Sequence, residues 1–392
     1  MPIDSAVQQA QEFMAGQDID GWLLYDYRGM NPILWDTVGA ISNVTRPCWL
    51  WIPSNGEPRL LVSYVDQGRF AHLGLPTTLF VSRADMTARL AELVARARTL
   101  AMEYSPQGEL PRISRVDAGT LEMVRGLGVE VVSSADLVQW ATQRWTAEQL
   151  ESHEVAAEKL SRIVLDAFGY IGEGLSSRPT ERDAAEFIRS RFVEEGLEVT
   201  DGPIVAVNEH ASDPHFDPMA GSSSAIGPGD WVLIDLWSRL PGEDSMSGDI
   251  TWTAFVGDTV PPKHQEVFDI VIGARDAALS ALQAAFDEGR PVQGWEVDKV
   301  ARDHIAAAGY GEYFNHRLGH SLGHEVHSNA VNLDGWETHD TRPVIPGVAV
   351  TIEPGIYLPE FGVRSEIDAF MSESGPYATS PVQREVVLIR GG

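Results

Sequence analysis

The sequence predicts two domains of different class, an α/β unit over residues 1–145 followed by an α+β unit over residues 146–392. Three observations lead there. At 392 residues the chain exceeds what one small core organises. Its first part alternates short apolar, aromatic stretches with helical patterns, as α/β units do. After residue 145 two long helical patterns give way to a strand-rich region, and the candidate chemistry falls in this second part.

In the first domain, residues 6–14 have an amphipathic helical period, while 21–25 and 48–52 are short, apolar and aromatic, as strands are. Residues 59–63 and 78–81 read as further strands and 86–100 as a helix. Strands over 100–103, 113–117 and 130–132 complete the pattern. The turn-rich stretch 28–46 carries exposed-looking Trp35 and Ile41 and reads either as a plain loop or as a partner surface. In the second domain Thr146 is a fair N-cap for a helix to about residue 167, and Thr180 followed by Glu181 starts another to about residue 196. Beyond Val205 strands dominate, interrupted by helices near 265–285 and 296–308.

Composition narrows the function classes. A hydrophobic share of 43% with 22% charged residues is that of a globular domain rather than a disordered chain. The 57 acidic residues against 29 basic ones give a formal charge of −28, a field that repels phosphate backbones, so nucleic acid is not expected as a partner. No apolar run approaches the roughly 18 to 20 residues of a membrane span. Residues 1–16 are mixed and acidic rather than basic and then apolar, so a cytoplasmic location is expected. Cys48 is the one cysteine, which excludes an internal disulfide or a cysteine-rich metal site; inside Pro47-Cys48-Trp49-Leu50-Trp51 it reads as packing.

The chemistry-bearing residues lie on strands. Trp231-Val232-Leu233-Ile234-Asp235 is a buried-looking strand with a carboxylate at its end, and Gly248-Asp249-Ile250-Thr251-Trp252-Thr253 begins another across a turn with Pro241 and Gly242. A carboxylate in such a strand costs several kcal/mol unless its charge is compensated. Two on adjoining strands repel unless a cation lies between them. Alternation puts Glu353 on the face of Thr351, and Arg364, Glu366 and Asp368 on one common face. Arg364 is spaced to orient a ligand carboxylate. Residues 316–327 hold four histidines, His316, His320, His324 and His327, but glycines interrupt them, and the spacing is one short of a zinc-protease helix. Four carboxylates and a neutral imidazole balance two divalent cations. Oxygen-rich ligation favours Mn, Co, Fe or Zn, and a pair of such ions suits amide hydrolysis.

These segments resemble the pita-bread metallopeptidases: methionine aminopeptidases, aminopeptidase P and prolidase, with creatinase as a metal-free relative. The resemblance rests on Leu233-Ile234-Asp235, Gly248-Asp249-Ile250-Thr251, His316-x-x-x-His320-x-x-Gly323-x-x-x-His327, Thr351-Ile352-Glu353-Pro354-Gly355-Ile356-Tyr357 and Val363-Arg364-Ser365-Glu366, in the family's order over residues 147–392. It implies a creatinase-like N-terminal α/β domain concerned with substrate access and oligomerisation. A catalytic domain with a curved, mostly antiparallel sheet flanked by helices follows. It further implies Asp235, Asp249, His320, Glu353 and Glu366 as ligands of two divalent ions, Mn first and Co or Zn as alternatives. Glu353 would also shuttle a proton, and His215 and His327 would assist at the tetrahedral intermediate or the leaving nitrogen. His316 and Arg364 would lie on the substrate side, and either His339 or Arg342 would hold a dipeptide carboxylate.

With an N-terminal domain and all five ligands present, the resemblance points to cleavage of Xaa-Pro bonds in short proline-containing peptides, prolidase slightly ahead of aminopeptidase P, by a homodimer. The alternatives are a hydrolase or lyase on the same scaffold acting on a small amide, amidine or acid, and a non-catalytic peptide-binding module. The sequence departs from the family pattern at Trp237, Trp252, His324, Ser328-Asn329-Ala330 and Ile367. The interval between Asp235 and Asp249 is also about three residues longer than usual, which makes Asp244 a conceivable substitute ligand.

Overall fold

The computed structural model describes residues 3–199 and 201–391. The chain divides into two compact units, Met1–Arg144 and Trp145–Gly392.

The first unit is a mixed six-stranded sheet in the order β4-β3-β2-β1-β5-β6, with β1 Gly21–Tyr27, β2 Pro47–Pro53, β3 Arg59–Ser63, β4 Thr77–Phe80, β5 Thr99–Met102 and β6 Glu130–Ser133. Its helices are α1 Ile3–Ala15, α2 Pro32–Val38, α3 Gln67–Phe70, α4 Arg83–Leu93, α5 Ala118–Arg125 and α6 Ala135–Thr142. Strand alternation feeds two cores. Cys48, Leu50 and Ile52 of β2 join Trp22 and Leu24 under α1, α2 and α6. Trp49 and Trp51 join Leu23 and Leu61 under α4 and α5. A strand covered on both faces reads as a continuous apolar run, which is why β2 lacks polar alternation. Cys48 is buried in the first core, and burial pushes its thiol up, which makes it inert packing.

Four readings of this unit are corrected. Residues 113–117 leave a turn as irregular chain and form no strand: Ile113 N donates to Leu110 O, and the amides of Arg115 and Val116 both donate to Glu103 O. The helix expected over 86–100 ends at Leu93, and the chain re-enters the sheet at Thr99. The stretch 28–46 contains α2, capped by the Asn31 side chain on Ile33 N. Trp35 and Ile41 are half-buried against the core rather than exposed.

In the second unit Thr146 caps α7 Ala147–Glu173 through a reciprocal box with Gln149, and Thr180 caps α8 Glu181–Glu194 with Asp183. Strands β7 Ile204–Val207, β8 Trp231–Ser238 and β9 Gly248–Val256 form an antiparallel sheet that β16 Val387–Ile389 extends in parallel beside β9. A second sheet has the order β10-β11-β14-β15, from Ser321–Leu322, Ala349–Ile352, Ile367–Ser372 and Gly375–Ala378. β12 Gly355–Leu358 and β13 Phe361–Arg364 make a hairpin. α7 and α8 cover one core, while α9 Pro262–Asp287 and α10 Gly294–Ala307 cover another. Ile367, where the resemblance leads one to expect aspartate, pairs with Ile352 and packs in that second core. Among the described residues no helix is long and apolar enough to cross a membrane.

Candidate metal centre and active site

The register of β8 against β9 sets opposite faces to opposite uses. Ile234, Leu236 and Ile250 enter the core beneath α7, so Asp235 and Trp237, paired with Thr251 and Asp249, face the other way. Glu366 joins them because its amide donates to Thr251 O at 3.2 Å. The histidine segment docks on β11: Thr351 N donates to His320 O at 2.8 Å and Glu353 N to Leu318 O at 2.8 Å. That approach needs Gly319, whose added Cβ would lie 2.0 Å from Thr351 O.

Asp235, Asp249, His320, Glu353 and Glu366 thereby line one cleft of about 780 Å³. One donor atom each from Asp249, His320 and Glu366 lies within 4.8 Å of the others. His320 Nε2 is 3.6 Å from Asp249 Oδ2 and 3.5 Å from Glu353 Oε1. Its Nδ1 lies 3.2 Å from Ser321 O; a carbonyl only accepts, so Nδ1 carries the proton and the Nε2 lone pair faces the carboxylates. Arg364 braces the cluster, donating Nη2 to Asp235 Oδ2 at 2.6 Å, Nη1 to the Tyr357 hydroxyl at 3.0 Å and Nε to Thr251 Oγ1 at 3.1 Å. The Thr251 hydroxyl in turn donates to Glu366 Oε2 at 2.7 Å. One more layer out, Asp368 Oδ2 accepts the Asp249 amide at 3.1 Å.

The cluster is short of positive charge. Burial, then the neighbouring Glu366 and Asp235, push the Asp249 carboxyl well above the usual carboxylate range; burial and the Glu353 charge do the same to Glu366. Burial pushes Glu353 up to about 7, although Arg364 and Arg317 oppose it. Oδ1 of Asp235 and Oδ1 of Asp249 are buried without a hydrogen-bond partner. Orphaned carboxylate oxygens, mutual repulsion and a lone pair aimed at them all fit divalent cations with oxygen and nitrogen ligands.

The remaining candidates divide. His215 and His327 line the cleft as exposed side chains, the His327 ring 4.2 Å from that of His320. His316 lines it too, with Nε2 2.7 Å from the Tyr357 hydroxyl; desolvation and the Arg364 charge push it down to about 3, so it stays neutral. Arg342 and His339 are not among the cleft's lining residues. Arg342 is buried and spends its fork on both oxygens of Asp340, at 2.9 and 2.6 Å, and on Asn329 O, while His339 packs against Trp295. Asp244 is exposed and outside the cleft. The longer hairpin is instead held by His324, whose Nδ1 lies 3.0 Å from Ser245 O and whose carbonyl accepts from Arg239 and Ser247.

The cleft also contains residues to which sequence reasoning gave no role there: Arg317, Trp237 and Phe216. Arg317 sat beside His316 in the histidine segment, the one signal available for it.

The comparisons with known proteins fall on the same region. The model of metallopeptidase family M24 matches residues 151–373. The uncharacterized peptidase YqhT of Bacillus subtilis is 32% identical over 268 residues, covering 66% of this chain and 70% of that protein. The Xaa-Pro dipeptidase of Pyrococcus furiosus is 30% identical over 246 residues, 62% of this chain and 64% of its own length. In fold, the chain matches the crystal structure of dipeptidase PepE from Mycobacterium ulcerans with a TM-score of 0.78 at 23% identity, over 99% of this chain and 98% of that one. The chain therefore belongs to metallopeptidase family M24, as a pita-bread metallopeptidase of the branch that holds the Xaa-Pro peptidases.

Proposed function

We propose that this metallopeptidase hydrolyses the peptide bond preceding proline, in dipeptides ahead of longer peptides, with two divalent ions, Mn first, held by Asp235, Asp249, His320, Glu353 and Glu366. The observation that carries the reading is the pair of buried, partnerless oxygens, Asp235 Oδ1 and Asp249 Oδ1, in a cleft where His320 Nε2 lies 3.6 Å from Asp249 Oδ2. When bound, such an ion pair supplies a nucleophile at neutral pH and polarises the scissile carbonyl. The chain's own groups do the rest. Glu353, held by the Thr351 hydroxyl at 3.0 Å, takes a proton from the attacking water and returns it to the leaving nitrogen. His215 and His327 stand at the open side of the cleft, where charge develops on the carbonyl oxygen. Arg364 orients Asp235 through its 2.6 Å contact with Oδ2. The same reading takes the protein as a cytoplasmic homodimer acting on short proline-containing peptides; the Xaa-Pro dipeptidase among its relatives supports the peptide class alone.

The test is proline release from an Xaa-Pro dipeptide and from the matching tripeptide, by protein reconstituted with Mn, Co or Zn. The dipeptide is expected to be the faster substrate; no release from either with any of the three metals would overturn the proposal. One feature favours a second reading, a hydrolase or lyase for a small amide, amidine or acid. Trp237 narrows the cleft, its indole packed on Gly202 and its Nε1 donating to Asp201 at 3.2 Å. Metal-loaded protein that cleaves small amides but no Xaa-Pro peptide would select it.

A further inference from the structure

Carboxylates outnumber guanidinium groups in the cleft, and among the described residues its lining contains two arginines, Arg364 and Arg317. They are placed for different work. Arg364 has a side chain 3% exposed, and its fork is filled by Asp235, Tyr357 and Thr251. The Arg317 side chain is 23% exposed, and its ion-pair partner is Glu337, 41% exposed, at a long 3.4 Å from Nη1. An exposed pair of that geometry contributes little to stability, and a better-fitting anion displaces it readily.

The backbone beneath Arg317 is rigid, in contrast with its loosely held side chain. Buried Asp298 pairs with Arg302 through two bonds of 2.9 Å. Arg302 in turn donates to Phe314 O at 2.9 Å and His316 O at 2.8 Å, while Asp298 accepts the Leu318 amide at 2.9 Å. The Arg317 amide is itself held by Glu337 at 3.0 Å. The segment is therefore fixed on both sides of Arg317 before any ligand arrives, and Arg317 lines the same cleft as Glu353 and His316. A planar guanidinium on a rigid loop, facing solvent within an acidic cleft, matches a planar carboxylate.

We propose that Arg317 is a specificity-determining residue that receives the C-terminal carboxylate of a short peptide, which replaces Glu337 Oε2 at the guanidinium while Oε1 keeps the Arg317 amide. The assignment deepens the Xaa-Pro reading and rests on it. It takes the place of Arg342, whose guanidinium Asp340 already occupies.

The experiment compares metal-reconstituted wild type, Arg317→Ala and Arg317→Lys on an Xaa-Pro dipeptide and on its C-terminal amide, and measures proline against prolinamide binding by calorimetry. Wild type is expected to favour the free acid. In Arg317→Ala the acid loses roughly 10- to 100-fold in kcat/KM, mainly through KM, and the preference for acid over amide collapses. Arg317→Lys recovers part of that preference as a point charge without the fork. Equal losses on acid and amide, or an intact preference in Arg317→Ala, overturn the assignment. Wild type that cleaves neither peptide yet binds proline over prolinamide, with Arg317→Ala losing that difference, sinks the reaction and leaves the anchor standing. If wild type shows no preference for the acid in rate or binding, the anchor is wrong.

Discussion

Both units bury carboxylates, and they treat them in opposite ways. In the first unit Glu103 is fully buried, and its oxygens accept from Trp22 Nε1 at 2.6 Å, Asn31 Nδ2 at 2.9 Å and Ser134 Oγ at 3.3 Å. Asp26 accepts the amides of Gly29 and Asn31, and Asp66 those of Thr45 and Arg46. Each of these side chains ties separate segments together. In the second unit Asp235 and Asp249 are nearly as buried, yet each keeps an oxygen without a partner, and like charges surround them. Burial is common to both groups; completeness of hydrogen bonding separates them. A buried carboxylate whose donors come from its own chain is a clamp, and one whose donors are withheld is a site for something else. The Asp340–Arg342 pair shows that the second unit also builds clamps where it needs them.

The comparison is broken most forcefully at Glu353. Glu353→Gln keeps the size of the side chain and its bond to Thr351 but cannot carry a proton, so kcat is expected to fall by roughly 10²- to 10⁴-fold with the far-ultraviolet circular dichroism unchanged. Unchanged turnover would remove Glu353 from the chemistry. Next comes Asp249→Asn. Without metal, removing one of the repelling charges is expected to raise Tm above that of wild type. With metal at about a thousand times its Kd, wild type gains about 4 kcal/mol that the variant largely forgoes, and the order of the two melting temperatures reverses. Melting curves that keep the same order with and without metal would contradict a withheld-donor site.

The smallest effect is expected in the first unit. Burial raises the Glu103 carboxyl from its ordinary 4.5 to about 7, despite three donors. A group whose folded-state value is raised contributes its full stability below about pH 4.5 and loses it as pH rises through about 7. Glu103→Gln, which does not titrate, costs stability at pH 5 through its lost bond to Asn31. The gap to wild type is then expected to narrow by up to about 3 kcal/mol at pH 8. Denaturant unfolding at the two pH values measures it; a gap that does not change with pH would mean that the carboxyl is ionised throughout.

The same contrast explains what could be read in the sequence. The carboxylate cluster was legible because strand alternation is rigid: once residues 231–235 and 248–253 are strands, Asp235 and Asp249 have definite faces, and Thr351 and Glu353 follow the same rule. Thr146 and Thr180 were legible because a capping side chain acts within three residues of itself. The proposed carboxylate anchor was not. Arg342 and Arg317 both lie in irregular segments, and which one reaches the cleft depends on Asp340 capturing the first and on Asp298 with Arg302 holding the backbone of the second. α5 and α6 escaped because eight residues give too short a period; the readable mark was Asp117, which caps α5 through Thr120 N but was taken as a strand end.

Everything in the second unit turns on whether the withheld donors are replaced by metal. Protein stripped of metal, reconstituted with Mn and dialysed should retain two ions per chain by elemental analysis, and Asp249→Asn should lose most of both, since its carboxylate clusters with Glu366 and His320 within 4.8 Å. Wild type that keeps no metal, or an Asp249→Asn variant that retains the full complement, would show that these carboxylates converge for some other reason.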